Sequence, residues 1–433
     1  MFKRPRGTRD YLPLDNLKRK LVIEKFRNVF ELYGYGEILT PAFEHLELLE
    51  AKAGPEVKEQ IYWFEDKAGR KLGLRFELTT SVARVVGEHR SLPKPIKFYY
   101  IQPMWRYEEP QKGRLREFWQ AGVEFIGSRS PAADAEVVAL TIRALREAGI
   151  EDAVARLNSR DIIEGLADSK GIRVEDRDEF FRILDKLEKR GRDFVVEELN
   201  RIGVEKHEAE LLAEFISMEG SNEEKLEEAR ILLKNSDRGL NGIERISKII
   251  QILENGYNLS DSVYVDYGIV RGLGYYTGFV FEIISENVRE VGSVAGGGRY
   301  DDLIKLVGGF ELPATGMSIG VERVIEVLEA KNIFAGLTCK AAKVLVAPVK
   351  SDYLIEALKI AEALRDNEIS AIVDPERFKL RLLLDYADRL KIDYVIIIGE
   401  KELSEDKVTM RNMKTWEQET LKLEDAIKKI LES

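Results

Sequence analysis

The sequence predicts an α+β chain with two domains: a larger N-terminal domain built on an antiparallel sheet with a helical insertion, and a smaller C-terminal α/β (βαβ) domain. Three observations lead to this prediction. The length of 433 residues exceeds the roughly 100–200 residues of a single domain. A strand–loop–strand pattern at 96–125 is followed, after a helix-rich stretch, by Gly-rich strand sequence. Beyond residue 341, apolar strands and amphipathic helices alternate.

The charge balance and the rare residue types exclude several classes of protein. The chain has 77 Asp and Glu against 67 Lys and Arg, a net charge of −10, which argues against a general DNA-binding role. The single Cys339 excludes a disulfide framework and a Cys-rich metal centre. Since His45, His89 and His207 are scattered along the chain, we expect no resident metal site.

The N-terminus and the hydropathy pattern bear on localisation. No stretch approaches the roughly 18 apolar residues of a membrane span, and residues 1–6 lack the apolar core of a secretion signal. We therefore expect a cytoplasmic protein without a membrane partner.

The N-terminal domain begins with a predicted helix and a short strand. Apolar residues repeat at helical spacing up to a glycine; they are Val22, Phe26, Val29, Phe30 and Tyr33. Residues 37–41 predict a short strand closed by a proline. Two longer strands at 96–105 and 117–125 flank the very polar segment 106–116, which predicts a strand–loop–strand with a charged tip.

A change of composition marks the insertion. Residues 172–248 are dense in Glu, Lys and Arg and poor in Gly, which predicts several helices inserted in a domain spanning 1–327. Gly-rich strand sequence returns at 262–284 and 292–300. An ordinary helical half of one domain fits this pattern equally well.

The remainder is predicted to be a linker at 328–340 and a small domain at 341–433. Apolar strands at 344–349, 371–374 and 394–399 are separated by helical patterns. This order predicts a parallel sheet with helices on both faces. Because such sheets host nucleotides, a small-ligand domain is one interpretation of this part of the chain.

Standard nucleotide-binding and nucleophile motifs are absent from the sequence. No Gly-x4-Gly-Lys-Ser/Thr loop occurs, and the glycines at 272, 274 and 278 miss the dinucleotide spacing. No Ser/His/Asp or Cys/His group can be assembled. The chemistry is therefore expected to depend on positioned charge.

The strand at 117–125 predicts a polar pocket. Its alternation places Phe118, Gln120, Gly122 and Glu124 on one face, opposite an apolar face. The glycine leaves a gap between two polar side chains, as in the floor of a pocket. A solvated strand face is the alternative.

Arginines next to this strand point to an anionic ligand. Arg106, Arg114 and Arg116 lie on or beside the charged loop, and guanidinium forks suit phosphate or carboxylate oxygens. A plain ion pair of Arg106 with Glu108 is equally compatible. Glycines at 316–320 precede a helix carrying Arg323, which could offer backbone amides and a guanidinium to a nucleotide.

Together these segments resemble a known family. The strand ending at Pro41, the strand–loop–strand and the Gly-rich strand with its Arg helix resemble motifs 1, 2 and 3 of class II aminoacyl-tRNA synthetases. Within that class, Arg-Gly-Leu-Gly-Tyr-Tyr at 271–276, Gly-Gly-Gly-Arg-Tyr-Asp at 296–301 and the N-terminal Pro-Arg-Gly-Thr-Arg-Asp-Tyr-Leu-Pro at 5–13 are similar to signatures of the histidyl-tRNA synthetase family. The resemblance covers the whole chain.

The resemblance implies a reaction and partners. ATP and L-histidine form histidyl-adenylate and pyrophosphate with Mg²⁺, and the histidyl group passes to the 3′ end of tRNA(His). The C-terminal domain is then an anticodon-binding domain, and motif 1 implies a homodimer. The competing hypothesis is a catalytically silent, histidine-sensing paralogue of the ATP phosphoribosyltransferase regulatory subunit type. Such paralogues generally lack the C-terminal domain and the nucleotide arginines.

The resemblance also implies residue roles. ATP is assigned to Arg106, Glu108, Arg114, Phe118 and Arg323, and histidine to Glu77, Thr79, Gln120, Glu124, Arg271, Tyr275, Tyr276 and Tyr300. Among these, Arg106 and Arg271 are the implied catalytic residues. Gln111 and Arg116 are candidates for the tRNA acceptor end.

Two further features of the sequence bear on the residue roles. The family usually has Asp where this chain has Gly274, which removes a carboxylate beside the catalytic arginine. In the C-terminal domain, Lys379 and Arg381 belong to a basic cluster around one predicted helix. We expect this cluster to contact tRNA.

Overall fold

A computed structural model describes residues 2–51, 58–110, 113–173, 176–270 and 276–432 of the chain. The chain divides into two compact units, Met1–Phe334 and Ala335–Ser433. Each unit has hydrophobic core clusters of its own. No helix in the described part of the chain is long and apolar enough to cross a bilayer.

The first unit begins with the predicted amphipathic helix. Its elements up to the insertion are α1 (Pro13–Leu32), β1 (Gly36–Glu37), β2 (Phe43–His45), α2 (Leu46–Glu50), β3 (Trp63–Glu65), β4 (Lys71–Leu74), α3 (Thr79–Glu88), β5 (Ile96–Trp105), β6 (Glu117–Ile126), α4 (Pro131–Glu147), β7 (Ala153–Ser159) and α5 (Arg160–Ser169). Val22, Phe26, Val29 and Phe30 form the buried stripe of α1, as the helical spacing predicts.

The strand before Pro41 is shorter than the sequence predicts. Within the segment 36–41, only Gly36–Glu37 (β1) forms a strand paired with β5, because side chains take the following carbonyl groups. The Gln102 amide donates to the Ile38 carbonyl at 3.0 Å, and the Arg75 guanidinium donates to the Thr40 and Pro41 carbonyls at 2.8 and 3.0 Å. These carbonyls are therefore satisfied without a sheet partner.

Helices fill the segment where the insertion is predicted. They are α6 (Arg177–Leu184), α7 (Leu187–Arg190), α8 (Arg192–Arg201), α9 (Lys206–Ile216), α10 (Asn222–Leu232) and α11 (Asp237–Tyr257). A capping box at Ser221 and Glu224 starts α10. Because α11 is one continuous helix, the predicted end of the insertion at residue 248 falls inside it.

Strands that follow the insertion complete the sheet of this unit. The elements of this part are β8 (Val263–Val265), β9 (Phe279–Ser285), β10 (Ala295–Arg299), α12 (Leu303–Gly308), β11 (Ala314–Gly320) and α13 (Val321–Ala330). The eight strands run in the order β1-β5-β6-β11-β10-β9-β7-β8. Only the two edge pairs, β1 with β5 and β7 with β8, are parallel. The predicted antiparallel fold is confirmed.

Strand register places the predicted polar face at the centre of the sheet. Gln120, Gly122 and Glu124 of β6 lie opposite Gly320, Ser318 and Gly316 of β11. A Cβ atom on Gly316 would lie 1.9 Å from the Glu124 carboxylate. The glycine therefore makes room for a buried acid on the neighbouring strand.

The second unit is an α/β domain with a mixed sheet. Its elements are β12 (Val344–Pro348), α14 (Leu354–Asp366), β13 (Ala371–Val373), α15 (Leu380–Arg389), β14 (Tyr394–Ile398), α16 (Glu400–Ser404), β15 (Val408–Asn412), β16 (Gln418–Leu421) and α17 (Leu423–Leu431). The order is β13-β12-β14-β15-β16. The three predicted strands are parallel, and the last two add an antiparallel edge. The sequence does not predict β15 and β16 because they lack a continuous apolar run.

Candidate active site

A carboxylate lies at the centre of the candidate site, on the polar face of β6. Glu124 is 1% exposed. Thr79 donates its hydroxyl to this carboxylate at 2.8 Å and Tyr100 at 3.3 Å, and Tyr300 also donates its hydroxyl. Burial raises the pKa of the Glu124 carboxyl to about 8, and the three hydroxyl groups offset this only in part. The alternative of a solvated strand face is wrong for this residue.

A second carboxylate organises the start of α3. Glu77, which is buried, accepts hydrogen bonds from the backbone amides of Thr79 at 2.6 Å and Thr80 at 3.0 Å. It therefore caps the first turn of the helix. This contact holds the Thr79 hydroxyl in line with Glu124. Glu77 and Thr79, both predicted to bind histidine, therefore lie next to the central carboxylate.

The side-chain amide of Gln120 has a hydrogen-bond partner at its nitrogen but none among the described residues at its oxygen. Its Nε2 donates to the Ser318 hydroxyl at 3.2 Å. Its buried Oε1 has no hydrogen-bond partner among the described residues. A buried polar atom without a partner is costly, so this oxygen is suited to accept from a ligand. Ser318 is a site residue that sequence reasoning missed.

A cavity of about 370 Å³ adjoins this end of β6. It brings together the five residues predicted for ATP and Gln120. The side chains lining it include Arg106, Glu108, Arg114, Phe118, Gln120, Arg323, Gln60, Ser293 and Ser318. The sequence does not single out Gln60, Ser293 and Ser318, because they lie on segments without a distinctive charge pattern.

Two arginines of this cavity are held by backbone or aromatic contacts. The Nε of Arg106 donates to the Phe76 carbonyl at 3.0 Å. Its guanidinium lies 5.0 Å from the ring centroid of Phe118. Arg323 donates to the Ser293 carbonyl. Such contacts fix the direction of a guanidinium before a ligand arrives.

A larger cavity, of about 820 Å³, lies elsewhere in the first unit. It is lined by residues at the ends of α1, α4 and α11, and none of the predicted site residues lines it. We therefore assign the candidate site to the smaller cavity, where the chemically relevant side chains converge.

A buried ion network supports the strand that leads to Tyr300. Arg299 and Asp134 are 3% and 0% exposed. The Asp134 carboxylate accepts from Arg299 at 2.9 Å and from Arg245 of α11 at 2.6 Å. Arg299 also donates to Asp301 at 2.9 Å. Sequence reasoning missed Asp134, since one acid in an apolar helix carries no distinctive signal.

Some of the remaining predicted site residues lie in the described part of the chain and others do not. Tyr276 is half-buried, and its ring would lie 3.1 Å from a Cβ atom on Gly298. Arg271, Tyr275 and Gln111 lie outside the described residues, as does Gly274.

Arg116 contributes to the internal order of its loop. Its Nε donates to the Glu108 carbonyl at 3.0 Å, and its guanidinium stacks 4.1 Å from the ring centroid of Tyr107.

The predicted basic cluster of the second unit surrounds α15, with Lys379 and Arg381 at the start of this helix and Arg389 at its end. Lys379 and Arg381 are exposed. Arg377 is paired with Asp374 and stacks 4.7 Å from the ring centroid of Tyr386. The free positive charge therefore concentrates on fewer residues than the sequence pattern indicates.

This sheet, its buried acid and the arginines from the β5–β6 loop and from α13 define the catalytic domain of a class II aminoacyl-tRNA synthetase. The family model "Histidyl-tRNA synthetase" matches residues 7–324, and the model "Anticodon binding domain" matches residues 343–433. The chain belongs to the histidyl-tRNA synthetase family.

Individual relatives agree with this assignment. The chain is 42% identical to the histidine–tRNA ligase of Thermococcus kodakarensis over 98% of this chain and 97% of that protein. It is 41% identical to the histidine–tRNA ligase of Pyrococcus furiosus over 99% and 98%. The crystal structure of histidyl-tRNA synthetase from Nostoc sp. PCC 7120 is similar with a TM-score of 0.84 at 27% identity, covering 100% of this chain and 99% of that one. The prediction of an aminoacyl-tRNA ligase is confirmed over the regulatory alternative.

Proposed function

We propose that the chain joins L-histidine to tRNA(His) in two steps that use the site around Glu124. The histidine carboxylate attacks the α-phosphorus of ATP, the bond to pyrophosphate breaks, and histidyl-adenylate forms. The 3′-terminal ribose hydroxyl then displaces AMP. The observation that carries this proposal is the buried Glu124 carboxylate beside an arginine-lined cavity.

Glu124 is proposed to bind the imidazole ring, with Tyr276 at the second ring nitrogen and with Tyr275 and Tyr300 lining the pocket. A buried carboxylate can accept from an imidazole N–H. An amino acid without ring nitrogens would not form this hydrogen bond, and sites built to hydrogen-bond a substrate reject such an analogue by roughly 10⁴-fold or more.

The backbone end of histidine is proposed to lie toward α3. Glu77 and Thr79 would accept from the ammonium group. Gln120 lies on the same polar face, and the second N–H of its Nε2 would donate to the carboxylate together with Arg271, whereas its unpartnered Oε1 can only accept. The attacking oxygen would then face the ATP cavity.

ATP is proposed to occupy the 370 Å³ cavity. Arg106 would offset charge at the α-phosphate, Phe118 and Glu108 would contact the adenine end, and Arg114 and Arg323 would contact the remaining phosphates or the base. Fixed charges that meet the developing phosphoryl charge stabilise the transition state. Arg271 would act with Arg106 as the second catalytic arginine.

Mg²⁺ is proposed to enter with ATP. Among the described residues, no group of three His, Cys, Asp or Glu is arranged to hold a metal ion. The triphosphate itself would supply most of the ligands of the ion. The ion would neutralise the departing pyrophosphate.

The second unit is proposed to bind the anticodon through Lys379 and Arg381. Gln111 and Arg116 are proposed to lie near the acceptor end of the tRNA. Cytoplasmic translation is the proposed setting of this reaction.

A second copy of the chain is proposed to pack on motif 1. Leu39, Phe43 and Phe64 are 82%, 48% and 41% exposed beside Pro41. A cluster of exposed apolar side chains is typical of an interface between subunits.

Histidine-dependent ATP–pyrophosphate exchange tests the proposed chemistry. Wild type is expected to exchange, and Arg271→Ala to lose roughly 100-fold in rate. Arg70→Ala, at an exposed arginine on the β3–β4 turn, is the matched control. Absence of exchange in wild type would favour the regulatory hypothesis, and full activity of Arg271→Ala would remove that residue from the mechanism.

A further inference from the structure

The N-terminal segment, residues 5–12, contacts both elements that carry the ATP arginines. The Arg116 backbone amide donates to the Gly7 carbonyl at 2.8 Å, and Arg6 forms an ion pair with Glu109. These contacts fasten the segment to both arms of the β5–β6 loop. Arg114 lies on the returning arm, as Arg116 does.

The approach at Gly7 is one that only glycine permits. Its φ is +83°, and a Cβ atom there would lie 2.7 Å from the Cγ of Arg116 and 2.9 Å from the Cγ of Pro110. Both the backbone conformation and the lack of space exclude a side chain. The segment therefore packs directly on the loop.

At its other end, the segment meets the first turn of α13. The Tyr11 hydroxyl donates to one oxygen of Glu322 at 3.1 Å, and the Trp119 amide donates to the other at 2.9 Å. The ladder between β6 and β11 ends at Gln120 and Gly320. The Glu322 carboxylate thus accepts from the next amide of β6, beyond the end of that ladder.

An arginine completes this contact. The guanidinium of Arg19 lies 4.2 Å from the ring centroid of Tyr11 and 4.9 Å from that of Trp119. Burial raises the pKa of the Glu322 carboxyl, and Arg19 partly opposes this. Glu322 immediately precedes Arg323, and Trp119 immediately follows Phe118. A displacement of Glu322 and Trp119 would therefore move their neighbours Arg323 and Phe118, two residues of the ATP cavity.

We propose that Tyr11, Gly7 and Glu322 are positioning residues for ATP, which hold the motif 2 loop and the motif 3 helix at the separation that nucleotide binding requires. This inference depends on the proposed function. The histidine pocket around Glu124 and Thr79 has no contact with the segment among the hydrogen bonds and ion pairs of the described residues. Loss of the segment's contacts therefore affects ATP more than histidine.

The test measures KM for ATP and KM for histidine separately in pyrophosphate exchange. Tyr11→Phe removes one hydrogen bond to a carboxylate and is expected to raise KM for ATP about tenfold. Gly7→Ala is expected to raise it at least as much. KM for histidine is expected to stay within about twofold in both variants.

Matched controls separate position from backbone strain. Gly191 has φ +82°, and a Cβ atom there would have no neighbour within 4 Å among the described residues, so Gly191→Ala carries the strain of Gly7→Ala without the contact. Tyr264→Phe removes a hydroxyl from an exposed tyrosine. Both controls are expected to keep KM for ATP unchanged.

A double-mutant cycle tests the path through Glu322. If Tyr11 acts through this carboxylate, Tyr11→Phe adds little to KM for ATP in a Glu322→Gln background. Equal rises of both KM values, or no rise in Tyr11→Phe, would overturn the inference. An inactive wild type would instead overturn the proposed function on which it rests.

Discussion

The Thr79 hydroxyl donates a 2.8 Å hydrogen bond to the Glu124 carboxylate, which joins the first turn of α3 to the middle of β6. Glu77 holds that turn in place through the Thr79 and Thr80 amides. The acid proposed for the imidazole ring is thus fixed through the residues proposed for the amino group. The imidazole ring and the amino group of histidine are therefore expected to be bound by one connected set of side chains.

Glu124→Gln is expected to impair the use of histidine specifically. A glutamine keeps the approximate shape but replaces one carboxyl oxygen by an amide N–H donor, so KM for histidine should rise roughly 10- to 100-fold. KM for ATP should change little. Pyrophosphate exchange measures both values, with Glu290→Gln at an exposed glutamate as the control. An unchanged KM for histidine would remove Glu124 from recognition.

The raised pKa of Glu124 predicts a pH dependence of stability. The carboxyl has a pKa of about 8 in the folded chain against 4.5 as the ordinary value. Between these values the folded chain holds a proton that the unfolded chain has lost. Below about pH 4.5, the stabilising contribution of Glu124 to the free energy of unfolding has its full value. It falls by up to about 1.4 kcal/mol per pH unit as pH rises toward the upper value, and it is then constant.

Urea unfolding of wild type and Glu124→Gln from about pH 4 to about pH 9 measures this dependence. Groups common to both chains cancel in the difference between the two free energies. The stability of wild type relative to the variant should therefore decline with rising pH and level off above about pH 8. A difference independent of pH would contradict the prediction.

Asp134→Asn is expected to destabilise the first unit. The substitution leaves the guanidinium groups of Arg299 and Arg245 without their shared carboxylate, in a site where Asp134 is fully buried. Breaking a buried ion pair costs about 3–5 kcal/mol. Denaturant unfolding measures the loss, and Asp302→Asn, at an exposed position, should cost far less. If both variants lower the free energy of unfolding equally, the buried ion network stabilises the unit no more than an exposed aspartate does.

Charge reversal at Lys379 and Arg381 is expected to weaken tRNA binding alone. Two phosphate contacts would be lost, so the slope of log K against log salt should fall by about 2 and Kd should rise roughly tenfold. Pyrophosphate exchange, which needs no tRNA, should not change. Lys422→Glu with Lys428→Glu reverses two charges elsewhere on the same unit. If both double variants bind tRNA alike, the α15 cluster is not the contact surface.

Several features could be predicted from the sequence because they depend on local order. The buried stripe of α1, the strands β5 and β6 and the polar face with Gln120 and Glu124 follow from residue periodicity. Motifs 1, 2 and 3 indicated the class, and the signatures at 5–13, 271–276 and 296–301 indicated the family. The shortened strand before Pro41 could not be predicted, because the side chains that take its carbonyls come from Arg75 and Gln102.

By itself, the sequence determined the fold class and the family and singled out six of the residues that line the candidate cavity, since these follow from periodic patterns and short motifs. Only the tertiary structure decided the environment of those residues. It brought Ser318 to Gln120, Asp134 to Arg299 and Tyr11 to Glu322, pairs separated by long stretches of chain. The physical reason is that burial, and with it the pKa of Glu124, depends on which strands become neighbours in the folded sheet.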